Sequence, residues 1–456
     1  MKPFRRRNLL SVGLSVLLAT NHVSAQIDLD LRNPESIKAA AKIAADEMVS
    51  YYTGYLPGDV PGNLPAPYYW WEAGAMFGAL IDYWYFTGDD THNNITTQAM
   101  LHQVGPDWDF MPPNQTKTEG NDDQAFWAMA ALSAAENKYP NPPSDGPQWL
   151  ALVQAVFNQQ AARWDTQTCA GGLKWQIFPF NNGYNYKNTI SNGCFFNMGA
   201  RLAVYTGNDT YAEWAEKTWE WTETIGLMDA NYNFYDGSDD NLNCTELDHI
   251  QWTYNAGTYL VGAANMYNFT GGASVWEERL TGIIQRIGEV FVRDGVLFEV
   301  ACEDIGTCNI DQRSFKAYLA RWMAATAVRA PFTYPMLKPL LETSAMAAAS
   351  TCHGGESGTQ CGLKWTQGSF DGWTGVGEQM SALEVFQSNL IDYAEGPVTE
   401  VSGGTSPGDP SSGTTSDVGP ADLHRDAMTT ADKAGAAILT VLVSFLVIGS
   451  AWWMVV

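Results

Sequence analysis

Long amphipathic segments recur along almost the whole chain and constrain its fold more than any other feature. The first begins at Asn33-Pro34, an N-cap followed by proline at the first helical position, and its apolar residues keep helical spacing until Gly54. Strand-like alternation is scarce. Similar patterns predict ten further helices, over residues 71–85, 124–136, 149–164, 195–205, 211–222, 254–267, 275–290, 315–328, 336–349 and 379–390. The sequence therefore predicts an all-α protein.

Three of these segments end alike, with an aromatic residue, a threonine and then Gly88, Gly207 or Gly271. Glycine there supplies a left-handed C-cap. The spacing of these endings predicts a repeat of roughly sixty residues, which closes most naturally into a toroid of about six helical hairpins. A linear solenoid is the alternative, but it needs polar capping repeats that the sequence does not show. A toroid gathers the aromatic, glycine-rich loops, such as residues 65–71 and 368–377, at one end, where we expect the functional site.

The two ends of the sequence predict secretion and a lipid tether. Three arginines, residues 5–7, precede an apolar run, and Val23-Ser24-Ala25 is typical of a signal-peptidase site. Residues 436–456 carry no charge and have no basic flank after them. A region rich in Gly, Ser, Thr and Pro lies upstream. We predict a signal peptide (1–25), a catalytic domain (26–397), a stalk with the lipid-attachment region (398–435) and a removed GPI-signal tail (436–456). A tail-anchored protein is the alternative, and the residue that receives the lipid stays open.

The composition narrows the function. A formal net charge of −25 excludes a nucleic-acid binder, whose affinity depends on basic contacts to phosphate. The chain holds 18 Trp, 20 Tyr and 19 Phe, more than a core needs. Flat aromatic faces stack on sugar rings, so this excess favours a carbohydrate ligand.

Cysteines and glycosylation sequons fit the secretory route. The close pairs Cys302 with Cys308 and Cys352 with Cys361 each suit a short disulfide loop. Among the other three cysteines we pair Cys169 with Cys194, although spacing does not fix connectivity. Five N-x-Ser/Thr sequons predict solvent-facing positions, at Asn94, Asn114, Asn208, Asn243 and Asn268. No His pair has zinc-ligand spacing and no glycine loop fits a phosphate, so we expect no metal and no cofactor.

The chemistry is carried by two adjacent carboxylates, Asp122 and Asp123, where a Gly-Asn turn enters an apolar helix. An ordinary helix cap explains Asp at such a place, and this alternative stays open. Two side chains at one helix start also lean into one cleft, with carboxyl groups roughly 5 to 6 Å apart, as in a retaining glycosidase. Repulsion between them pushes their pKa values apart, so that one is a nucleophile and the other an acid.

Other sequence motifs are weaker candidates for the catalytic site. Asp239-Asp240 is a second carboxylate pair, but no apolar helix follows it directly, so we interpret it as a loop, with cation or sugar contact as the alternative. Glu72, Asp311 and Glu378 lie near aromatic or glycine-rich stretches and are candidates to support the site. Residues 404–408 match the nucleophile-elbow pattern by chance, since no strand precedes them and no helix follows.

The segment from Gly120 to Gln124 resembles the G-N-D-D-Q motif of glycoside hydrolase family 76, the endo-α-1,6-mannanases. The resemblance covers nearly the whole chain between signal and tail, including residues 69–74, 164–175, 191–196, 252–257 and 316–322, and is strongest to the GPI-anchored fungal branch. It implies an (α/α)6 barrel and a retaining mechanism with Asp122 as nucleophile and Asp123 as acid and base. It also implies a role in attaching GPI-linked proteins to cell-wall glucan.

Around this pair we place sugar contacts from aromatic, amide and guanidinium side chains: Asn121, Trp127, Phe195, Trp252, Tyr254, Asn255, Arg321 and Trp322. Three hypotheses remain: a mannan hydrolase, a wall transglycosidase with an α-1,6-mannoside or GPI-glycan donor and a β-glucan acceptor, and a non-catalytic mannan-binding protein. The carboxylate pair separates the first two from the third, because a binding module has no use for two carboxylates at one helix start. We expect the protein on the outer face of the plasma membrane or in the wall.

Overall fold

The computed structural model describes residues 27–115, 118–414 and the single residue 440. The predicted signal peptide, most of the predicted attachment region and nearly all of the predicted tail lie outside these residues. Among the described residues, no helix combines the length and apolarity that a membrane span requires.

All eleven predicted segments are helical. The described residues form twelve α-helices: α1 (Pro34–Val49), α2 (Trp70–Thr87), α3 (Asn93–His102), α4 (Asn121–Glu136), α5 (Trp149–Ala162), α6 (Thr189–Thr206), α7 (Asp209–Thr224), α8 (Thr253–Phe269), α9 (Ser274–Val290), α10 (Phe315–Arg329), α11 (Tyr334–Thr351) and α12 (Val376–Gln387). Only α3 was not predicted separately. It buries just Thr96, Ala99 and Met100, too few apolar residues for a helical stripe.

The strands of the described residues are short and lie in the loops. Three form an antiparallel sheet, β1 (Tyr186–Asn188), β2 (Gly237–Asp239) and β3 (Leu247–Asp248), with Lys187 opposite Ser238 and Ser238 opposite Leu247. β4 (Val292–Arg293) and β5 (Val296–Leu297) form an antiparallel hairpin. The fold is therefore helical, as predicted, and the first sheet joins the loops that precede α6 and α8.

The even-numbered helices close into an inner ring. Each packs against the next in the order α2, α4, α6, α8, α10 and α12, and α12 returns to α2. The odd-numbered helices pack outside, with α3 on α2, α5 on α4, α7 on α6, α9 on α8, α11 on α10 and α12, and α1 on α12. Six pairs in a closed ring make the predicted (α/α)6 barrel.

The two rings differ as burial requires. Every residue of α4 is buried except Asp123, which is partly buried, since α4 has neighbours on all sides. Outer helix α9 buries a single stripe, Trp276, Leu280, Ile283, Ile284 and Ile287, and leaves its other face in water. The apolar periodicity of α9 in the sequence is therefore clearer than that of α4.

Helix ends distinguish the two mouths of the barrel. Gly88 and Gly207 end α2 and α6 with φ of 75° and 69°, as predicted, whereas α8 ends at Thr270 and Gly271 follows with φ of 66°. These turns are short. Long loops precede the inner helices, and we call the end that they form the loop mouth and the opposite end the turn mouth; the loops are residues 50–69, 103–120, 163–188, 225–252, 291–314 and 352–375.

Three disulfides lie in the described residues, and one predicted pairing is wrong. Cys302–Cys308 and Cys352–Cys361 are present, but Cys169 bonds Cys244, not Cys194. Cys194 is a free thiol buried within α6. The reason is tertiary: Asn243 Oδ1 accepts the backbone N–H of Cys169 at 2.7 Å, which brings two loops distant in sequence together.

The beginning of the predicted stalk packs on the barrel. Val398 donates its backbone N–H to Glu136 O at 2.9 Å, and Ser406 Oγ accepts the N–H of Leu150 at 3.0 Å. Further along, Asn158 Nδ2 donates to the carbonyls of Pro410 and Ser412 at 3.0 and 2.8 Å. The folded domain thus continues past the predicted boundary at residue 397. We call residues 398–414 the strap.

All five sequon asparagines, at positions 94, 114, 208, 243 and 268, are exposed, as predicted.

Candidate active site

A cleft opens at the loop mouth where five inner helices begin. Its lining comes from the first two turns of α2, α4, α8 and α10 and from the loops before α6, α8 and α10: Trp71, Asp122, Asp123, Phe126, Trp175, Tyr186, Asn188, Asp236, Trp252, Tyr254, Asn309, Asp311, Gln312 and Phe315. Free backbone N–H groups and positive dipole ends favour negative charge at helix starts. Asp122 and Asp123, two of the four carboxylates of this lining, lie in the first turn of α4, where that field helps them.

The predicted carboxylate pair lies in this cleft at the start of α4. Asp123 Oδ2 accepts the Gly120 N–H at 2.7 Å, and Asp122 Oδ1 accepts the Asp123 N–H at 3.0 Å. Asn188, the N-cap of α6, donates to Asp122 Oδ2 at 3.4 Å. Asp123 therefore does cap the helix, but both carboxylates also face a cleft, which a cap does not require.

Backbone packing fixes the pair. A Cβ at position 120 would collide with Asp122 Oδ1 and lie 3.0 Å from Trp175 O, so only glycine lets the two segments approach. Asn121 locks them, because its N–H donates to Trp175 O and its Nδ2 to Lys174 O, both at 2.8 Å. This contact also sets Trp175 at the edge of the cleft.

Burial controls the charge of the pair. It raises the pKa of Asp122 well above the ordinary value, and the nearby Asp123 carboxylate raises it further. Burial also raises the pKa of Asp123 to about 7, although the hydrogen bond from the Gly120 N–H opposes this shift. Two repelling carboxyl groups in such a site retain one proton between them at mildly acidic pH. One is then an ionised base or nucleophile and the other an acid.

Two further carboxylates face the cleft in different states. Asp236 is satisfied on both oxygens, by Tyr186 OH at 2.7 Å and by Trp252 Nε1 at 3.0 Å. Asp311 Oδ1 is buried and has no hydrogen-bond partner among the described residues. Burial raises the pKa of Asp311 to about 6, and the Trp71 side chain opposes the shift. Asp236 therefore positions two aromatic side chains, whereas Asp311 keeps Oδ1 as a free acceptor.

Aromatic walls enclose the four carboxylates, and two of the predicted sugar contacts belong to them. Tyr254 stacks on Phe315 with ring centroids 3.8 Å apart and an interplanar angle of 9°. Trp252 meets the same Phe315 edge-on at 5.5 Å. Trp175 is 37% exposed, so its ring is open to a ligand. No Lys, Arg or His belongs to the described lining.

The six other predicted sugar contacts lie outside the cleft, and two of them are aromatic residues of the core. Trp127 is fully buried between Trp70 and Phe110, at 5.2 and 5.9 Å. Phe195 stacks on Phe157 in the core. These aromatic positions are core because α4 and α6 are buried on all sides, so helical spacing does not reveal which face meets the cleft.

The predicted amide contacts are displaced for similar reasons. Asn255 is fully buried in α8 and does not line the cleft. Asn121 is 2% exposed, and its Oδ1 accepts from Arg163 Nη1 at 2.9 Å while its Nδ2 holds Lys174 O. Asn121 therefore supports the pair from behind.

The last two, Arg321 and Trp322, lie at the turn mouth. Arg321 Nη2 bonds Glu384 at 2.5 Å, and its Nε lies 3.2 Å from Asp82. Arg321 and Trp322 both line a cavity at the turn mouth. Arg321 lies six residues, about 9 Å of helix rise, beyond Phe315 of the cleft, and Glu384 and Asp82 hold its side chain.

The competing motifs have structural roles. Asp239 caps a 3-10 turn by accepting the Asn241 N–H at 2.9 Å, and Asp240 pairs with Lys174. Ser406, inside the elbow-like sequence, caps α5 through the Leu150 N–H. Glu72 is fully buried near Asp311, and Glu378 lies 3.5 Å from Arg313 Nη1, so of the three candidate support residues only Asp311 faces the cleft.

Sequence reasoning missed most of the lining, including Trp71, Trp175, Tyr186, Asn188 and Asp236. These residues share one property: each lies in a loop before an inner helix or in the first turns of that helix. A signal therefore existed. Aromatic and acidic residues just before each even-numbered helix mark the cleft, provided that the ring order is known.

A closed ring of paired helices, with a carboxylate pair in an aromatic cleft at the helix starts, defines a glycoside hydrolase. A sequence model of glycosyl hydrolase family 76 matches residues 36–401. The mannan endo-1,6-alpha-mannosidase DCW1 of Saccharomyces cerevisiae is 47% identical over 97% of this chain and 98% of its own length. DFG5 of the same yeast, named likewise, is 44% identical over 94% of each. The chain belongs to glycosyl hydrolase family 76.

Solved structures agree. Dfg5 from Chaetomium thermophilum, crystallised with glucosamine, has a TM-score of 0.83 and 47% identity, covering 86% of this chain and 98% of its own. An α-1,6-mannanase of Salegentibacter in complex with α-1,6-mannotriose has a TM-score of 0.62 at 17% identity, over 78% and 99% of the two chains. The second likeness supports the fold alone.

Proposed function

We propose that this chain is a retaining α-1,6-mannosidase that transfers the mannosyl unit it cleaves to another sugar, and that it links GPI-anchored proteins to cell-wall glucan. Its donor is an α-1,6-mannoside of mannan or of a GPI glycan. Its acceptor is a β-glucan. The observation that carries the proposal is the Asp122–Asp123 pair in an aromatic cleft whose described lining holds no basic side chain.

The resemblance assigns Asp122 as nucleophile and Asp123 as acid and base. In the first step the Asp122 carboxylate forms a bond to the anomeric carbon, the glycosidic bond breaks, and Asp123 gives its proton to the leaving oxygen. In the second step Asp123 takes the proton of an acceptor hydroxyl as that oxygen displaces Asp122. When water is the acceptor, the mannosyl-enzyme intermediate is hydrolysed. When a sugar hydroxyl is the acceptor, the mannosyl unit is transferred to that sugar.

The location is part of the proposal: a GPI lipid holds the mature protein on the outer face of the plasma membrane or in the wall. Its support is the layout of the sequence, with a secretory signal before the domain and an uncharged segment after an attachment region. The names of the yeast relatives support an α-1,6-mannoside donor, and the glucosamine bound to the Chaetomium protein fits a donor that carries an amino sugar.

The first experiment incubates the protein with α-1,6-mannooligosaccharides, with and without a β-glucan acceptor, and reads the products by mass spectrometry. Mixed mannosyl-glucan products, absent for Asp122→Asn and Asp123→Asn, are the expected result. Shortened mannosides alone would make the chain a plain hydrolase. Mannan binding without any turnover by the wild type would make it a non-catalytic binding protein.

A second experiment assigns the two roles with azide, a small nucleophile that needs no proton removed. In Asp123→Ala, given a mannoside whose leaving group departs without a proton, azide replaces the acceptor in the second step, so we expect rescued turnover and an α-mannosyl azide. In Asp122→Ala azide attacks in place of the nucleophile, which inverts the anomeric carbon. The opposite pattern would exchange the two roles.

A further inference from the structure

Exposed apolar side chains are concentrated at the loop mouth. The described residues hold sixteen large apolar side chains that are markedly exposed, and eleven of them lie in five of the six long loops. The eleven, which we call the rim, are Tyr55, Leu56, Val60, Tyr69, Trp108, Trp175, Phe180, Leu242, Ile250, Val300 and Ile305. A clustered excess of exposed apolar surface marks an interaction site.

Many side chains of the rim are of types that do not suit a sugar ligand. Six rim residues are aliphatic, and the most exposed of all eleven is Ile305, at 72%. Branched aliphatic side chains have no flat face to stack on a pyranose ring, whereas they gain free energy in any apolar environment. The second most exposed, Phe180 at 67%, is of a type that interfacial membrane segments bury at the headgroup boundary.

The strap leads towards the same mouth. It begins at the turn mouth, where Val398 bonds Glu136 O, and reaches the first turn of α5 at Leu150. It then follows α5, with Asp409 N donating to Gln154 Oε1 at 2.6 Å and Asn158 bonding the carbonyls of residues 410 and 412. From Leu150 to Asn158 the helix rises about 12 Å, and residues 411–414 then turn so that Gly413 packs on Ala155, about two turns from the helix end at the loop mouth.

We propose that the loop mouth rests on a zwitterionic lipid bilayer, with the rim in the headgroup region and the strap carrying the tether to the same side. The proposal rests on the lipid tether of the proposed function. Its consequence is that the cleft faces substrates presented at the membrane surface, such as the glycan of another lipid-anchored protein.

Charge and sequons sharpen the choice of lipid and of test residues. A net charge of −25 disfavours an anionic bilayer, so a zwitterionic surface is the expected partner. Asn94, Asn208 and Asn268 lie at the turn-mouth side. Asn114 and Asn243 lie in the loops before α4 and α8, so the test uses Phe180 and Ile305, from the loops before α6 and α10.

The test compares hydrogen–deuterium exchange of the full lipid-anchored chain in phosphatidylcholine vesicles with the same protein after release by phosphatidylinositol-specific phospholipase. We expect residues 163–188 and 291–314 to exchange more slowly in the anchored protein, and the turn-mouth segments 137–148 and 330–333 to exchange alike in both. Phosphatidylserine added to the vesicles should weaken the protection.

The control is a matched pair of double variants. Phe180→Ser/Ile305→Ser should lose the loop-mouth protection, whereas Val275→Ser/Met346→Ser, on exposed apolar residues of outer helices, should keep it. Cleavage of soluble α-1,6-mannotriose should be unchanged in both, which keeps catalysis separate from orientation. After release, the rim variant should bind vesicles about ten-fold or more weakly than wild type.

Three outcomes would overturn the proposal. If the phospholipase does not release the protein, the tether is wrong and the orientation loses its basis, while the mannosidase assay still stands. If release succeeds but protection is absent or lies at the turn mouth, the orientation alone is wrong. If soluble mannan or β-glucan protects the same loops without lipid, the rim is a polysaccharide surface.

Discussion

The two mouths of the barrel hold buried carboxylates in opposite settings. At the turn mouth three arginines accompany the acids: Glu136 lies 2.7 Å from Arg201 Nη2 and 3.4 Å from Arg329 Nη2, and Arg321 bridges Glu384 and Asp82. At the loop mouth no described basic side chain lines the cleft. Cations suit helix C-termini and acids suit helix N-termini, so both arrangements follow the dipoles.

The two mouths differ in whether their carboxylates have arginine partners. This difference separates carboxylates that stabilise the fold from carboxylates that can transfer a proton. A guanidinium beside a buried carboxylate favours the ionised form, as Arg321 opposes the rise in pKa that burial causes at Asp82, and removal of the carboxylate leaves a buried charge alone. Two neighbouring carboxyl groups without a basic partner have raised pKa values, so one of them keeps a proton that it can transfer. The same change, carboxylate to amide, should consequently damage different properties at the two mouths.

The largest effect is expected on catalysis at the loop mouth. Asp122→Asn should reduce kcat by roughly 10⁴-fold, because the site loses one member of its acid–nucleophile pair. Its melting temperature should stay equal to or above that of wild type, since an amide carries no charge to bury. Asp239→Asn, at the exposed second pair, is the control and should keep wild-type turnover. A large loss of stability in Asp122→Asn would break the comparison.

The next effect is on stability at the turn mouth. Glu136→Gln should lower the free energy of unfolding by about 3–5 kcal/mol, because Arg201 and Arg329 lose their shared counter-ion. Denaturant titration measures this, and kcat on α-1,6-mannotriose should not change. Glu289→Gln, which breaks an exposed pair with Arg286 on α9, should leave unfolding unaffected. Wild-type stability in Glu136→Gln would show that the network is dispensable.

The third effect is a fall of stability with rising pH. Burial raises the pKa of Asp311 to about 6 and that of Asp123 to about 7, so between about pH 4 and 7 the folded state binds more protons than the unfolded state. This stabilisation is complete below the unfolded pKa and is lost as pH rises through the folded value. Asp311→Asn should remove roughly 2 kcal/mol of the dependence in thermal unfolding across this range. An unchanged slope in that variant would assign the dependence to other groups.

The smallest effect tests which tryptophan belongs to the site. Trp252→Phe removes the N–H donor to Asp236, so kcat/KM should fall about ten-fold. Trp322→Phe, at the turn mouth, should leave kcat/KM at the wild-type value. Equal losses in both variants would mean that Trp252 acts through general packing.

Much of the fold was accessible from the sequence. The apolar stripes and caps predicted eleven helices, because each signal is local and repeats every turn. The Cys169–Cys244 bond and the docking of the strap were not accessible, since each depends on segments more than seventy residues apart. Composition alone made residues 398–414 look like a free stalk, yet Ser406 is buried against α5.

The site divides in the same way. The sequence by itself determined the carboxylate pair, because a glycine turn, two acids and an apolar helix are adjacent in the chain, and it predicted Trp252 and Tyr254 in the cleft. Only the tertiary structure decided which other side chains join them. Inner helices are buried on every side, so Trp127 and Arg321 carry the same local pattern as a true wall residue. Only closure of the ring brings the starts of five inner helices together at the loop mouth. The remaining residues of each helix then lie in the core or at the turn mouth.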